Sequence, residues 1–502
     1  MRIDSLAGPQ LTELWSLRPD VLVEADTEPG GAVEVHTRWG SVRFERPSAA
    51  LHEALKRMQL GPVSLANVLP GFPVDPPQGG PGADGADPEV RALLADLDRL
   101  RGAVVRSLAY GGTPLLSLVP LTPGARCRPA PLPPGRRVRL SRFAVLRYAA
   151  GGLQVESPIA DHRVELHRPE AMRVLGLLDG AEPLPAAEEV VGLPRHLVAG
   201  AAGYLVAAGV AVVARELPGA KPEFAEDRDP RLAHWSPDEL MAHSRSRAGR
   251  HDRDLGASYP HGATPVPEPV TASGAAIELH RPDLAALAEN DPSFTEVLER
   301  RHSVREFAAE KLTVHQIGEL LFRAARVRAA REAAAGDPPA LPRTDRPYPS
   351  TGAVYALEVY LVVADGTELA PGAYHYDPFG HRLRPLAGSP KAVEELIGAA
   401  QTAVDSAARP PLLIVFTARF RRVMHAFSGI AYASLLKDVG VLLQNFYLVA
   451  TAMGLGGCAL AAGDSDSAAR AFGLDWPVES SVGEFVVGAP ARSIPLRCGI
   501  AR

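Results

Sequence analysis

Between Glu299 and Phe307 the chain reads ERRHSVREF, placing Arg300, Arg301 and Arg305 beside His302 and Ser303. Guanidinium forks, a hydroxyl and the amides of a nearby helix start supply convergent donors for a phosphate dianion. Taken alone, the same run also describes a solvated, charged helix start. Three stretches downstream bear on the choice. They are RPYPSTGAVYALEVYLVV from Arg346, GAYHYDP from Gly372, and AYASLLKDVGVLLQNFYLVATAMGLGGCALAAGDSDS from Ala431.

The elements that must position these residues follow from apolar periodicity. Helices are expected over 283–301 and 313–328, buried strands over 356–363 and 411–416, a long apolar helix over 432–453 and a last strand over 481–488. The long helix is apolar all round, as in a helix buried in its own protomer and against a twin. It is not a membrane span, because Lys437, Asp438, Gln444 and Asn445 interrupt it.

The first half carries a faint repeat. A hairpin over 34–47 leads into a helix with Leu51, Leu55 and Met58 on one face, and a second hairpin over 153–169 leads into another helix. Both helices follow Arg-Pro pairs, Arg46-Pro47 and Arg168-Pro169, as suits proline at a helix start. Further helices are expected over 88–101, 186–191 and 196–214, and a strand-turn-strand wing closes the first copy. This order suggests two winged-helix-like modules, over 1–122 and 138–215, with a Pro-rich joint near 123–137. Residues 216–275 read as a polar linker, and 276–502 as an α+β domain.

At 502 residues the chain has room for two or three domains. A net charge of -5 gives no global pull toward nucleic acid or membrane lipid, so partners are sought locally. Cys127, Cys458 and Cys498 are widely spaced without a CxxC pair, which suits a reducing cytoplasm and argues against structural zinc. The N-terminus lacks the apolar core and cleavage site of a signal peptide, so the chain reads as cytoplasmic, with no metal and no membrane partner.

In order and spacing, the four motifs resemble the SagB-type (McbC-like) dehydrogenases, azoline oxidases of the flavin-dependent nitroreductase superfamily that act on ribosomally made peptides. The resemblance covers roughly residues 232–490, including a lead-in from Trp235 to Tyr259 with the string RAGRHD. It implies a nitroreductase-like C-terminal domain, with a mainly antiparallel sheet flanked by helices, in a domain-entwined homodimer. It implies FMN, with Arg301, His302, Ser303 and Arg305 around the phosphate. Pro349, Ser350, Thr351 and Gly352 would reach the isoalloxazine edge, although PSTG alone is also an ordinary turn before a strand. Ala462 and Gly463, in a small-residue loop over 461–464, would lie along the flavin face.

One departure concerns proton transfer. The family commonly places a Lys-Tyr pair just before the long helix, where this chain has Ala426 and Phe427. Neither side chain can move a proton. His425 is the candidate base, since imidazole exchanges protons near neutral pH, and Tyr432 a candidate hydrogen-bond donor. The implied function is dehydrogenation of thiazoline or oxazoline to thiazole or oxazole in a precursor peptide, with oxygen as terminal acceptor. The winged modules would engage that peptide, or partners such as a cyclodehydratase, and not nucleic acid. The alternatives are a non-catalytic peptide-binding subunit and an FMN reductase using NAD(P)H. Against the latter, no GxGxxG follows a strand.

Overall fold

The runs LEVYLVV and LLIVFTAR are apolar at nearly every position, a pattern a strand shows when both of its faces are covered. The computed structural model describes residues 10–26, 31–72, 87–149, 151–184, 189–216, 221–260, 275–331 and 343–491. It divides into two units, Met1–Arg253 and Asp254–Arg502.

The C-terminal unit is built on a seven-stranded sheet. Its spatial order is Ile277–Glu278, Arg382–Pro385, Gly372–Asp377, Leu357–Val363, Leu412–Arg419, Glu479–Gly488 and Gly456–Leu460, every pair antiparallel. Alternate residues of the central strands feed two cores. Val359, Leu361, Ile414 and Phe416 join one with the helix Val314–Ala325 and the long helix Ala431–Ala452. Tyr360, Val362, Leu413 and Val415 join the other with the helices Pro390–Ala403 and Ser465–Phe472. No helix among the described residues is long and apolar enough to cross a membrane.

Three boundaries differ from the sequence reading for identifiable reasons. The helix expected over 283–301 is two, Leu284–Asn290 and Phe294–Arg300. Pro292 forces Asp291 into extended backbone (φ -64°, ψ 145°), and Ser293 then caps the second helix by accepting from the Glu296 amide. The helix expected to reach 214 stops at Ala208, because Gly209 takes a left-handed C-cap (φ 80°) and Ala211–Val213 leaves as a strand. No helix forms at 189–190, where Glu189–Val190 is a short strand against Leu193–Pro194; residues 185–188 lie outside the described set.

In the N-terminal unit the first copy keeps the expected order of elements. The hairpin Val33–Thr37/Gly40–Phe44 leads into Ala49–Leu60, then Pro88–Arg99, then the hairpin Val104–Tyr110/Thr113–Pro120. Ser48 caps the first helix by accepting from the Leu51 amide, and Leu51, Ala54, Leu55 and Met58 turn inward. The two halves are not separate modules, however. One six-stranded sheet runs Leu11–Leu17, Val104–Tyr110, Thr113–Pro120, His162–Leu166, Gly152–Glu156, Val145–Ala149, joining strands from both sides of the Pro-rich joint.

The polar stretch expected as a linker carries a helix over Pro237–Arg245, and its charges are spent on the N-terminal unit. Asp252 of the RAGRHD string accepts from Arg18 at 3.1 Å and from Arg163 at 3.1 Å, while Arg245 donates to Glu156 at 2.9 Å. Residues 261–274 of that stretch lie outside the described residues. Removing Asp252 would leave Arg18 to Asp20 alone and Arg163 to the longer Glu165 contact at 3.4 Å. D252A is therefore expected to lower the free energy of unfolding by about 3 kcal/mol, read from the chemical denaturation midpoint. An unchanged midpoint would show that the string is only a spacer.

Candidate functional site

Arg301 is the C-cap of the short helix Phe294–Arg300, after which the chain turns extended through Ser303. There it is stitched to the strand Gly456–Leu460: Ser303 bridges Gly457 in parallel register, and the Val304 amide donates to the Gly457 carbonyl at 2.9 Å. The approach needs glycine on the strand, since a Cβ at Gly456 would lie 2.6 Å from Val304 Cγ1. Tyr447 of the long helix locks the junction. Its hydroxyl shares a 2.9 Å hydrogen bond with Ser303, accepts from the Ala459 amide at 2.7 Å, and its ring lies 5.2 Å beneath the Arg301 guanidinium.

Most arginines in this unit are paired, as Arg300 is with Glu296. Among the described residues, neither Arg301 nor Arg305 has a carboxylate partner. His302 bonds the Arg300 carbonyl through Nδ1 at 2.9 Å. Two cations without counterions, next to a hydroxyl, form a donor set suited to an anion such as a phosphate.

The PSTG turn is held elsewhere on the long helix. Asp438, almost wholly buried, accepts from the Ser350 hydroxyl at 2.9 Å, the Thr351 hydroxyl at 3.0 Å and the Thr351 amide at 3.1 Å. The Ser350 oxygen in turn accepts from the Tyr355 amide at 3.0 Å. Gly352 has φ 58° and ψ 19°, where a side chain is strained, and a Cβ there would sit 2.9 Å from the Phe427 ring. Asp438 and Tyr447 are nine residues apart, roughly 13 Å of rise and half a turn round the helix. The turn and the cationic segment are thus anchored on either side of the helix's core-facing stripe within one chain. Pro349 leads into the turn.

Of the proposed proton movers, His425 is buried on the helix Phe420–Ala426, with Nε2 unpartnered among the described residues. The Tyr259 ring stands edge-on to it at 6.2 Å, so the end of the lead-in string covers this imidazole. Tyr432 is 51% exposed and packs beside Phe420 rather than into the core. Ala426 and Phe427 occupy the end of the same helix, with Phe427 flooring the Gly352 turn. Within the one chain, Leu436 and Val441 of the long helix also remain exposed.

Ala462 and Gly463 lie in an exposed loop between the strand Gly456–Leu460 and the helix Ser465–Phe472. Sequence reasoning missed what lies beneath. Glu484 is 3% exposed, Oε1 has no hydrogen-bond partner, and a Cβ on Gly463 would collide with its carboxyl. Burial, reinforced by the charge of Asp464, pushes this carboxyl up to about 7 against the opposing hydrogen bond from the Asp464 amide. Its folded value lies above its unfolded one. The stability of the neutral form is therefore complete below the ordinary carboxylate range and lost as pH rises through about 7.

Residues 298–489 match the family model of the nitroreductase family, and residues 138–252 match that of the cyanobactin oxidase ThcOx. Proteins of the nitroreductase family are generally flavin-dependent. MJ1384 of Methanocaldococcus jannaschii, which carries a nitroreductase name, is 28% identical over 183 residues, 36% of this chain and 83% of its own. The microcin B17-processing protein McbC of Escherichia coli is 30% identical over 116 residues, 22% of this chain and 42% of its own. The chain thus spans about two fifths of McbC's length. A structure of the E. coli microcin synthetase McbBCD complex with truncated pro-MccB17 bound aligns at 24% identity and a TM-score of 0.31, covering 44% of this chain and 76% of the other.

Asp438 is the side chain that fixes the PSTG turn. D438A is expected to cost about 3 kcal/mol, since a buried carboxylate with several donors is lost. It should also accelerate hydrogen exchange at the Thr351 amide. Unaltered exchange there would mean that the turn holds itself.

Proposed function

We propose that this chain, a McbC-like member of the nitroreductase superfamily, binds FMN and dehydrogenates thiazoline or oxazoline rings to thiazole or oxazole in a ribosomally made precursor peptide. The observation that carries the reading is Arg301, without a carboxylate partner among the described residues and over the Tyr447 ring whose hydroxyl bonds Ser303, with Arg305 two residues beyond that serine and likewise without a carboxylate. These residues, with His302, would hold the phosphate. Pro349, Ser350, Thr351 and Gly352 would border the ring system. Ala462 and Gly463 would leave its face open to substrate. Bound flavin supplies a two-electron acceptor for hydride leaving carbon.

The chain's own residues then have to orient the azoline and take its acidic ring proton. His425 is the group assigned to the proton, through its unpartnered Nε2, with Tyr432 as a hydrogen-bond donor. The placing of the turn and the cationic segment on two sides of one helix supports a homodimer in which a shared cofactor meets the two sets from different copies. Exposed Tyr432 and Leu436, four residues apart on one face of the long helix, supply apolar surface for that contact. The match of residues 138–252 to the cyanobactin oxidase ThcOx model supports peptide engagement by the N-terminal unit; cyclodehydratase-type partners and a cytoplasmic setting belong to the same proposal.

A second reading is favoured by Ala426 and Phe427, which replace the expected proton-moving pair: a peptide-binding subunit without turnover. One experiment separates the two. Purified protein should be yellow and should lower the mass of an azoline peptide by about 2 Da per ring. H425Q should abolish that loss with flavin still bound, whereas R301A should lose flavin by about tenfold or more in affinity. A colourless preparation that leaves peptide mass unchanged would remove the oxidase reading, and turnover by H425Q would remove the role of His425.

A further inference from the structure

Glu484 takes no part in the chemistry just described, yet it is the buried acid nearest the loop over 461–464. It sits on the strand Glu479–Gly488, opposite Leu460 on one side and Val415 on the other, so both strand neighbours are apolar. The long helix meets the preceding residue, Gly483, through Val439, again without charge. From the helix Ser465–Phe472, Arg470 is spent on Glu395 and Ser467. The ionised group that does act on Glu484 is Asp464, the cap of that helix, whose carboxylate is held in its charged form by the Ser467 hydroxyl and amide. Among the described residues no cation compensates the Glu484 carboxyl, and its Oε1 is left without a partner beneath Gly463.

A buried acid with one unsatisfied oxygen is stable neutral and costly ionised. Ionisation here would set two carboxylates against each other at a loop whose other members, Ala461, Ala462 and Gly463, have at most a methyl group to shield them. Relief comes by moving the loop outward and admitting water. We infer that Glu484 is a positioning residue for the cofactor site: its neutral carboxyl seats the 461–464 loop against the flavin face, and its ionisation unseats the loop and weakens cofactor binding. This rests on the flavin reading above and deepens it by making cofactor retention depend on pH. The linkage is reciprocal: a cofactor that needs the seated loop raises the Glu484 pKa, and rising pH expels it.

Two measurements on the full chain test this. The first is a titration of flavin-free protein by difference infrared spectroscopy, in which the carboxylic C=O band of Glu484 should disappear with a midpoint near 7 and be missing from E484Q. The second is FMN affinity across about pH 6 to about pH 8.5. It should weaken by about tenfold for each unit that binding raises the carboxyl's pKa. E484Q, which imitates the neutral acid in shape, should bind as the native protein does at low pH and show no step. A flat native affinity, or a step that persists in E484Q, overturns the assignment, and the native series alone decides it if the variant does not fold. FMN that fails to bind at any pH overturns the flavin reading and this role with it, and the infrared band then still reports whether the acid is neutral. A structural filler would give the same flat profile in both proteins.

Discussion

The long helix Ala431–Ala452 carries two polar side chains on which both halves of the candidate site depend. Asp438 gathers the hydroxyls of Ser350 and Thr351 and the Thr351 amide, while Tyr447 ties Ser303 to the Ala459 amide and lies under Arg301. Each is held by partners that leave little freedom, because a buried carboxylate or hydroxyl without them would be strongly destabilising. The same bonds that satisfy the helix therefore position the turn and the cationic segment. Stability and placement are here one constraint. A sequence reading that treats Asp438 only as an interruption of a membrane-like run sees the cost of the charge but not its partners.

Much of the C-terminal fold was legible, and the exceptions share a cause. Strands such as Leu357–Val363 declare themselves because β-branched and aromatic residues fill both faces. Gly456–Leu460 does not, since two glycines disfavour a strand in isolation. The strand exists because Val304 and Phe485 press against those positions so closely that no side chain fits. Its identity is written in residues far away in sequence. The helix Pro390–Ala403 was within reach of local rules, with Ser389 as cap and Pro390 at its first turn, and went unread. Glu484 was hidden for a different reason. In SVGEFVVG an acid alternates with apolar residues and looks solvent-facing, whereas the loop and helix after Leu460 cover it.

In the N-terminal unit the order of hairpins and helices was readable but the pairing between them was not. Turn residues and proline positions report local events, whereas a sheet that joins Thr113–Pro120 to His162–Leu166 depends on which edges find one another across forty residues of intervening chain. The clasp made by Asp252, Arg18, Arg163, Arg245 and Glu156 illustrates the same limit. An abundance of Arg and His near Arg247 looked too specific for a spacer. Its meaning is electrostatic: the segment carries charges that the six-stranded sheet needs as partners, and the match to the ThcOx family model ends at Asp252.

These observations also bear on the missing Lys-Tyr pair. Phe427 is not an idle replacement, because its ring lies where a side chain on Gly352 would otherwise project, so the position has become part of the floor of the turn. The lysine of that pair would fall at Ala426, itself buried at the end of the helix, where restoring it would bury an ammonium. Proton chemistry, if the site performs it, must then come from groups that the surrounding structure keeps available. His425 offers an unpartnered ring nitrogen beneath Tyr259, and Glu484 offers a proton held by burial beneath Gly463. They differ in kind. The imidazole can accept a proton without creating a buried anion, whereas the carboxyl gives one up only at the cost of a second negative charge beside Asp464. Under the proposed oxidase reading, that asymmetry favours His425 for the transfer and Glu484 for the loop.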